Sequence, residues 1–361
     1  MRRLLLIGLM FLAVIAVFGT GCQQDPELAL CVGWVVGGSV DGYGLILKTE
    51  DGGTTWQRQG NSATVPDVFL EAVSAADDQN VWAVGGVSDA DGSSYGTILH
   101  TTDGGETWTR QGDSATTPDV EFNGVVALDA RNAWVVGTKG YILKTSDAGA
   151  TWIEQQQDTF AGYLEGVYAY GENLFWAGGE AGSASAPPVI VHTSDGGNTW
   201  VRQGEGMLPD STGIIDMHGA GPNTVWAVGT DQVCYLTTDG GENWVAKREH
   251  MPFSAHYNGV CAVDEQTAWV AVDYSVALFT PNAGDSWDMQ STPGVGRQPY
   301  NLKVTATHAD TAWMTATSAG PGAIVHTDDG GINWVMQLRT DSAGLGDYTG
   351  LRGISIAGAA R

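Results

Sequence analysis

A nine-residue segment of pattern x-Thr-x-Asp-x-Gly-x-x-Trp occurs seven times along the chain. The copies are KTEDGGTTW (48–56), HTTDGGETW (100–108), KTSDAGATW (144–152), HTSDGGNTW (192–200), LTTDGGENW (236–244), FTPNAGDSW (279–287) and HTDDGGINW (326–334). The acidic position falls at Asp51, Asp103, Asp147, Asp195, Asp239, Asn282 and Asp329, at intervals of 43 to 52 residues, with Asn replacing Asp in the sixth copy. The segments close on Trp56, Trp108, Trp152, Trp200, Trp244, Trp287 and Trp334. A period of this size marks a repeat architecture, in which one unit buries its apolar face only against its neighbours.

A second motif alternates with the first: GWVVG at Trp34, VWAVG at Trp82, AWVVG at Trp134, FWAGG at Trp176, VWAVG at Trp226, AWVAV at Trp269 and AWMTA at Trp313. The two motifs account for all 14 tryptophans. Nine positions before the second-motif Trp stands an apolar residue in six units: Val73, Val125, Val167, Met217, Val260 and Val304. An aromatic precedes it in Phe69, Phe122, Tyr163, Tyr257 and Tyr300. Each unit therefore holds four short β-rich runs, A to D, separated by Gly, Asn and Asp; the third unit reads FNGVVAL, AWVVG, YILKT and TWIEQ. Their lengths suit antiparallel strands, and no sustained helical period follows the N-terminal segment. Four strands repeated seven times predict an all-β fold, a seven-bladed β-propeller of four-stranded antiparallel blades.

The termini predict how the ring closes. The repeats begin at a B strand, 31–37, and end on an isolated A strand in YTGLRGISIAG (348–358). Pairing 351–356 with 31–37 completes one blade from both chain ends and covers an otherwise open strand edge.

Within the nine-residue segment, Asp accepts hydrogen bonds from nearby backbone N–H groups and Gly supplies positive φ without a Cβ penalty. The Trp offers a large apolar face, with an indole N–H that calls for a partner. Seven copies speak for a structural corner rather than a catalytic loop. One carboxylate per turn is also far short of the six to eight oxygens of a calcium site.

Residues 1–21 read as a secretory signal, with Arg2 and Arg3 ahead of an apolar run over 4–18. About 15 apolar residues are short for a membrane span of roughly 20. Cys22 after Gly19-Thr20-Gly21 resembles the bacterial lipobox, although Gly19 stands where Leu is usual, and the resemblance implies acylation of Cys22 as the lipid anchor. Gln23 rather than Asp at the next position points to the outer membrane in a cell that has two. A short linker (22–29) then leads into the repeat domain (30–361). Without Arg2 and Arg3, 14 basic residues face 41 acidic ones, a formal charge of −27, which disfavours nucleic acid and anionic headgroups. Cys31, Cys234 and Cys261 are too few and too irregular for a disulfide framework or a zinc site, so buried thiols are expected.

The nine-residue segment resembles the Asp-box, or BNR repeat, of sialidases, sortilin-like receptors, xyloglucan hydrolases and the photosystem II assembly/stability factors. With its WAVG strands the chain is most similar to the last of these, over about residues 30–361. The resemblance implies that the C–D and A–B turns share one face, and that the D–A and B–C loops form the face where ligands usually meet the central channel. The loops there are SVDGY (39–43), SDADGSSYG (88–96), EAGSASAPP (180–188), MLPDSTG (207–213), MPFSAHY (251–257) and GVGRQPY (294–300). Variable loops on a rigid scaffold are where recognition tends to reside.

At the start of strand A the chain places Glu71, Asn123, Glu165, Asp216, Asn258, Lys303 and Arg352, which should line the channel mouth together with Arg297 from a neighbouring loop. A mixed-charge ring suits a solvated channel as well as a ligand site, and Lys303 and Arg352 are free to pair with Glu71 or to bind a carboxylate. A sialidase needs converging arginines, whereas Arg58, Arg110 and Arg202 occupy one repeated strand D position. His100, His192 and His326 share a repeated strand C position with Lys48 and Lys144, read as surface rather than metal-ligating. His250 and His256 flank one loop, and Asp89-x-Asp91-Gly92 resembles a calcium loop without its distal Glu. No metal and no cofactor are expected. The function expected is a non-catalytic binding or assembly platform in the bacterial cell envelope, recognising a protein or glycan through the channel face. A glycoside hydrolase using channel-face carboxylates is the alternative. The photosystem role is not carried over, because the blade-forming residues carry the likeness and the family's basic partner patch has no counterpart in a chain this acidic.

Overall fold

The computed structural model describes residues 31–88, 94–112, 118, 120–155, 162–182, 186–209, 212–247, 255–293, 300–317, 321–345 and 350–358. Asp89, Asp91, Gly92, His250 and Arg297 lie outside the described residues, as do parts of every channel-face loop named above except 39–43.

The strands form seven separate four-stranded antiparallel sheets. Blade I takes its A strand from the C-terminus (Leu351–Ile356) and its B, C and D strands from the N-terminus (Gly33–Val40, Tyr43–Thr49, Gln57–Arg58). Blades II to VII follow in chain order, with A strands Phe69–Ala75, Phe122–Ala127, Gly162–Tyr170, Ile214–Gly219, Tyr257–Ala262 and Tyr300–Ala306. Blade I closes as expected. Gly33 pairs with Ile356, Trp34 with Ser355 and Val35 with Ile354, flanked by N–H bonds from Gly38 to Gly350 O and from Ala357 to Val32 O.

The core is seven apolar clusters, each filling the gap between consecutive blades. Every strand B Trp is essentially inaccessible to solvent. The Asp-box Trp of one blade packs against the strand B Trp of the blade before it: Trp200 on Trp134, Trp287 on Trp226 and Trp334 on Trp269 are edge-to-face at 5.7 to 6.1 Å. Among the tryptophans, Trp200, Trp313 and Trp334 donate their indole N–H to Gly197 O, Gly52 O and Gln290 Oε1, so a hydrogen-bonded indole is not a constant feature of the corner.

The Asp-box turns are self-satisfied. Asp195 accepts from the Thr193 hydroxyl at 2.8 Å, from the Thr199 N–H at 2.9 Å and from the Thr199 hydroxyl at 2.6 Å. These bonds, led by that of the Thr199 hydroxyl, hold the Asp195 carboxyl down at about 2. Asn282 keeps the geometry with one polarity reversed: its Oδ1 accepts from Thr280 and from the Ser286 N–H, while its Nδ2 donates to Ser286 Oγ at 2.9 Å.

A latch between blades also uses this turn. Three residues after the Asp-box Trp, Gln203 donates to Gly240 O of the next blade at 3.0 Å, Gln290 to Gly330 O at 2.8 Å and Gln337 to Gly52 O at 2.8 Å across the ring closure. At Gly241 the backbone has φ +93, and a Cβ there would lie 1.9 Å from Gln203 Oε1. That glycine is needed for conformation and for room. In blade V the equivalent residue is Lys247, which pairs instead with Asp285 at 3.1 Å.

Two sequence expectations are corrected. His100 and His192 are buried, because strand register sets each imidazole flat on the Trp across from it: Trp82 with His100 at 3.8 Å and Trp176 with His192 at 4.3 Å. His326 sits likewise on Trp313, and Lys48 and Lys144 place their ammonium groups over Trp34 and Trp134. Burial pushes the His100 imidazole down to about 4. Of the cysteines, Cys234 and Cys261 are buried free thiols, whereas Cys31 is disulfide-bonded.

Candidate binding site at the channel mouth

The seven A strands are innermost and surround a central channel of about 400 Å³. Its mouth is a cavity of about 220 Å³ lined by Glu71, Asn123, Glu165, Ile215, Asn258, Lys303 and Arg352. Six of the expected ring residues thus meet in one place. Asp216 lines the longer channel, and Ile215 stands at the mouth.

The reason is a register shift near the start of each A strand, between Leu70 and Ala72, Phe122 and Gly124, Leu164 and Gly166, and Ile214 and Asp216. Glu71, Asn123, Glu165 and Ile215 occupy the shift itself. The next tier pairs with strand B and holds Ala72, Gly124, Gly166, Asp216, Gly259 and Lys303. Small residues there let inner strands approach: a Cβ on Gly166 would lie 2.7 Å from the Asp216 backbone, and one on Gly124 would lie 2.4 Å from Glu165 O. Asp216 and Lys303 are the charged exceptions.

Those two pair with each other, Lys303 Nζ to Asp216 Oδ1 at 3.1 Å, while Asp216 Oδ2 accepts the Val260 N–H at 2.9 Å. Arg352 Nε lies 3.7 Å from Glu71 Oε2. Both mouth cations therefore have carboxylate partners within the ring. Asn123 Nδ2 donates to Leu164 O at 3.0 Å, and Asn258 Nδ2 to Asp273 Oδ1 at 2.8 Å.

Glu165 is different, since no hydrogen bond or ion pair ties its carboxyl to another described residue. Its remaining exposed surface faces the channel and its mouth. Burial pushes it up to about 7; Lys303 draws it down, and the negative charges of Glu180, Glu71 and Asp216 raise it again. Around the mouth stand exposed aromatics on the same face, Phe69 and Tyr163 two residues before Glu71 and Glu165, and Tyr274 in a B–C turn. Tyr274 and Ser275 both have left-handed backbone, φ +67 and +61. Bulky residues rarely take this conformation.

Arg58, Arg110 and Arg202, read as one repeated strand D position, sit on three different blades. Arg58 stacks on Tyr43 and pairs with Asp41, Arg110 donates to Gly96 O, and Arg202 faces Glu205 on the outer strand of its own blade. His256 accepts the Asp231 N–H through Nδ1 at 3.2 Å. Among the described residues no group of three His, Cys, Asp or Glu is arranged to hold a metal ion.

The sequence profile of the family described as photosynthesis system II assembly factor YCF48 matches residues 29–159, 113–211 and 205–353. Among solved structures, a YCF48 bound to a D1 peptide is similar with a TM-score of 0.55 at 20% identity, over 74% of this chain and 82% of that one. YCF48 from Cyanidioschyzon merolae is similar with a TM-score of 0.57 at 19% identity, over 86% and 91%. An ancestral GH74 enzyme gives a TM-score of 0.54 at 14% identity, over 74% of this chain but 38% of that enzyme. At these identities the likenesses speak for the fold alone. No curated protein matches the chain.

Proposed function

Because this chain belongs to the family of photosynthesis system II assembly factor YCF48, we propose that it is a non-catalytic platform that binds a polypeptide partner at the channel mouth. The observation that carries this reading is the mouth itself, a polar cavity with both of its cations internally paired and with Phe69, Tyr163 and Tyr274 exposed around it. Exposed aromatics around a concave polar centre supply contact area at low entropic cost. A structurally similar YCF48 has been solved bound to a D1 peptide, which supports a peptide as the class of partner without giving its sequence. The signal-like residues 1–21 support an envelope location, and a lipid anchor on Cys22 requires that its sulfur carry the acyl group and not be the partner of the Cys31 disulfide.

The second reading is glycoside hydrolysis. A carboxyl held near 7 is what a general acid needs, and Glu165 meets that condition. Against it, Glu71 and Asp216, which act on Glu165 from other inner strands, are engaged by Arg352 and Lys303. Incubating the full chain with solubilised native envelope and, separately, with a panel of glycosides tests the two. The platform reading expects retention of a protein without turnover; turnover that vanishes in Glu165→Gln overturns it.

A further inference from the structure

Resting on the platform reading, we infer that the channel mouth seats one cationic side chain, a lysine ammonium or arginine guanidinium carried by the partner polypeptide, against the Glu165 carboxylate. The charge count at the mouth comes first. Arg352 pairs with Glu71 and Lys303 with Asp216, while Lys303 acts on Glu165 as a nearby charge without forming an ion pair with it. Glu165 remains, with Glu180 adding negative charge nearby. A carboxylate at the channel mouth with no ion pair of its own is stabilised by an opposite charge that reaches it.

Shape agrees with charge. The mouth cavity, about 220 Å³, takes a long unbranched side chain entering along the axis, while the partner backbone stays outside among the loops. Tyr163 precedes Glu165 on the same strand, and Phe69 occupies the equivalent position before Glu71; both are about half exposed. They add exposed aromatic surface on the face from which a partner side chain would enter. The formal charge of −27 without the signal arginines steers a basic segment toward this surface and repels an acidic one.

Protonation follows from the same arrangement. The groups facing Glu165 are Lys303, Glu180, Glu71 and Asp216, with Arg352, Asn123 and Asn258 completing the ring. With its carboxyl near 7, Glu165 is partly protonated at neutral pH. A cation seated there favours the charged form, so binding releases a proton and tightens as pH rises from 6 to 8.

The test uses the full chain and three probes: acetyl-Gly-Lys-Gly-amide, its norleucine counterpart, and cadaverine as a free amine. Titration calorimetry in two buffers of different ionisation enthalpy should show the lysine peptide binding at least about tenfold more tightly than the norleucine peptide, the step expected for one charge-assisted contact. It should also show proton release at pH 7. Glu165→Gln should abolish the preference, and Glu106→Gln on the opposite face should leave it intact. Equal binding of the lysine and norleucine peptides overturns the inference, as does cadaverine binding as tightly as the peptide. An envelope partner retained equally by wild type and Glu165→Gln removes the cation seat and leaves the platform reading standing.

Discussion

Lys303 Nζ lies 3.1 Å from Asp216 Oδ1, and the two side chains belong to blades VII and V, so that they meet past the inner strand of blade VI. At the same tier the inner strand of blade VI carries Gly259. The pair joins non-adjacent blades and anchors the Val260 N–H through the second oxygen of Asp216.

Removing the cation alone should therefore cost more than removing the pair. Lys303→Met is expected to lose about 2 kcal/mol of unfolding free energy at pH 7, between the values for exposed and buried ion pairs, because both side chains are about one-quarter exposed or less. Lys303→Met with Asp216→Asn should recover part of that loss in denaturant melts. Losses of the two single variants, Lys303→Met and Asp216→Asn, that simply add in the double variant would show that the contact carries no coupling energy.

Glu165 sets a pH dependence of the opposite sign to the usual carboxylate. Its folded value, about 7, lies above the ordinary carboxyl range. Its contribution to stability is thus fully present below about 4.5 and is lost as pH rises through 7. Glu165→Gln should be more stable than wild type at pH 8, on the order of 1 to 2 kcal/mol after allowance for solvent in the channel, and nearly equal at pH 4.5. Thermal melts at the two pH values decide it; a gain of the same size at both would contradict the assignment.

The Asp-box carboxylates behave conventionally. Asp195 is held at about 2, and Asp51, Asp103, Asp147, Asp239 and Asp329 are all lowered by their turn hydrogen bonds. Their contribution is present above the ordinary aspartate value near 4 and is lost as pH falls through the folded values. Asn282→Asp should fold normally at pH 7, with Ser286 turning its hydroxyl to donate, and should make blade VI more acid-sensitive. Hydrogen exchange of the Gly284 and Ser286 amides at pH 7 and pH 2.5 reads this out. Loss of protection at pH 7 would mean that the reversed Asn282–Ser286 bond is required.

Much of the fold was legible from the sequence because its determinants are periodic. Fourteen tryptophans in two alternating motifs reveal the number of blades, and a lone A strand at 351–356 reveals the closure. The register shift itself was not legible, but the ring assignment was: counted back two residues from the apolar position of strand A, as Glu71 is from Val73, the equivalents are Ile215 and Leu302. Asp216 and Lys303 are the residues one further along, so Asp216 lines the channel below the mouth, while the Lys303 side chain still lines the mouth. The Gln latch could have been found: a glutamine stands three residues after the Asp-box Trp in six of the seven units, at Gln59, Gln111, Gln155, Gln203, Gln290 and Gln337. The burial of His100 needed its pairing with Trp82, which only strand register supplies.

The proposed anchor has its own check. Acylation uses the Cys22 sulfur in a thioether, so the intact mass of the membrane-extracted protein should show cleavage before Cys22 and added acyl chains. A mature protein with an unmodified or disulfide-bonded Cys22 would remove the anchor and leave the channel-face reading untouched.

The central claim, that a polypeptide is recognised on the channel face, is tested most directly by placing a photo-crosslinking residue at Tyr163 beside the mouth or at Ile332 in an Asp-box turn of the opposite face, both exposed positions. Irradiated in the native envelope, the Tyr163 position is predicted to yield a discrete crosslinked partner that the lysine peptide competes away, and the Ile332 position is predicted to yield none. A partner captured at Ile332 and not at Tyr163 would contradict the account.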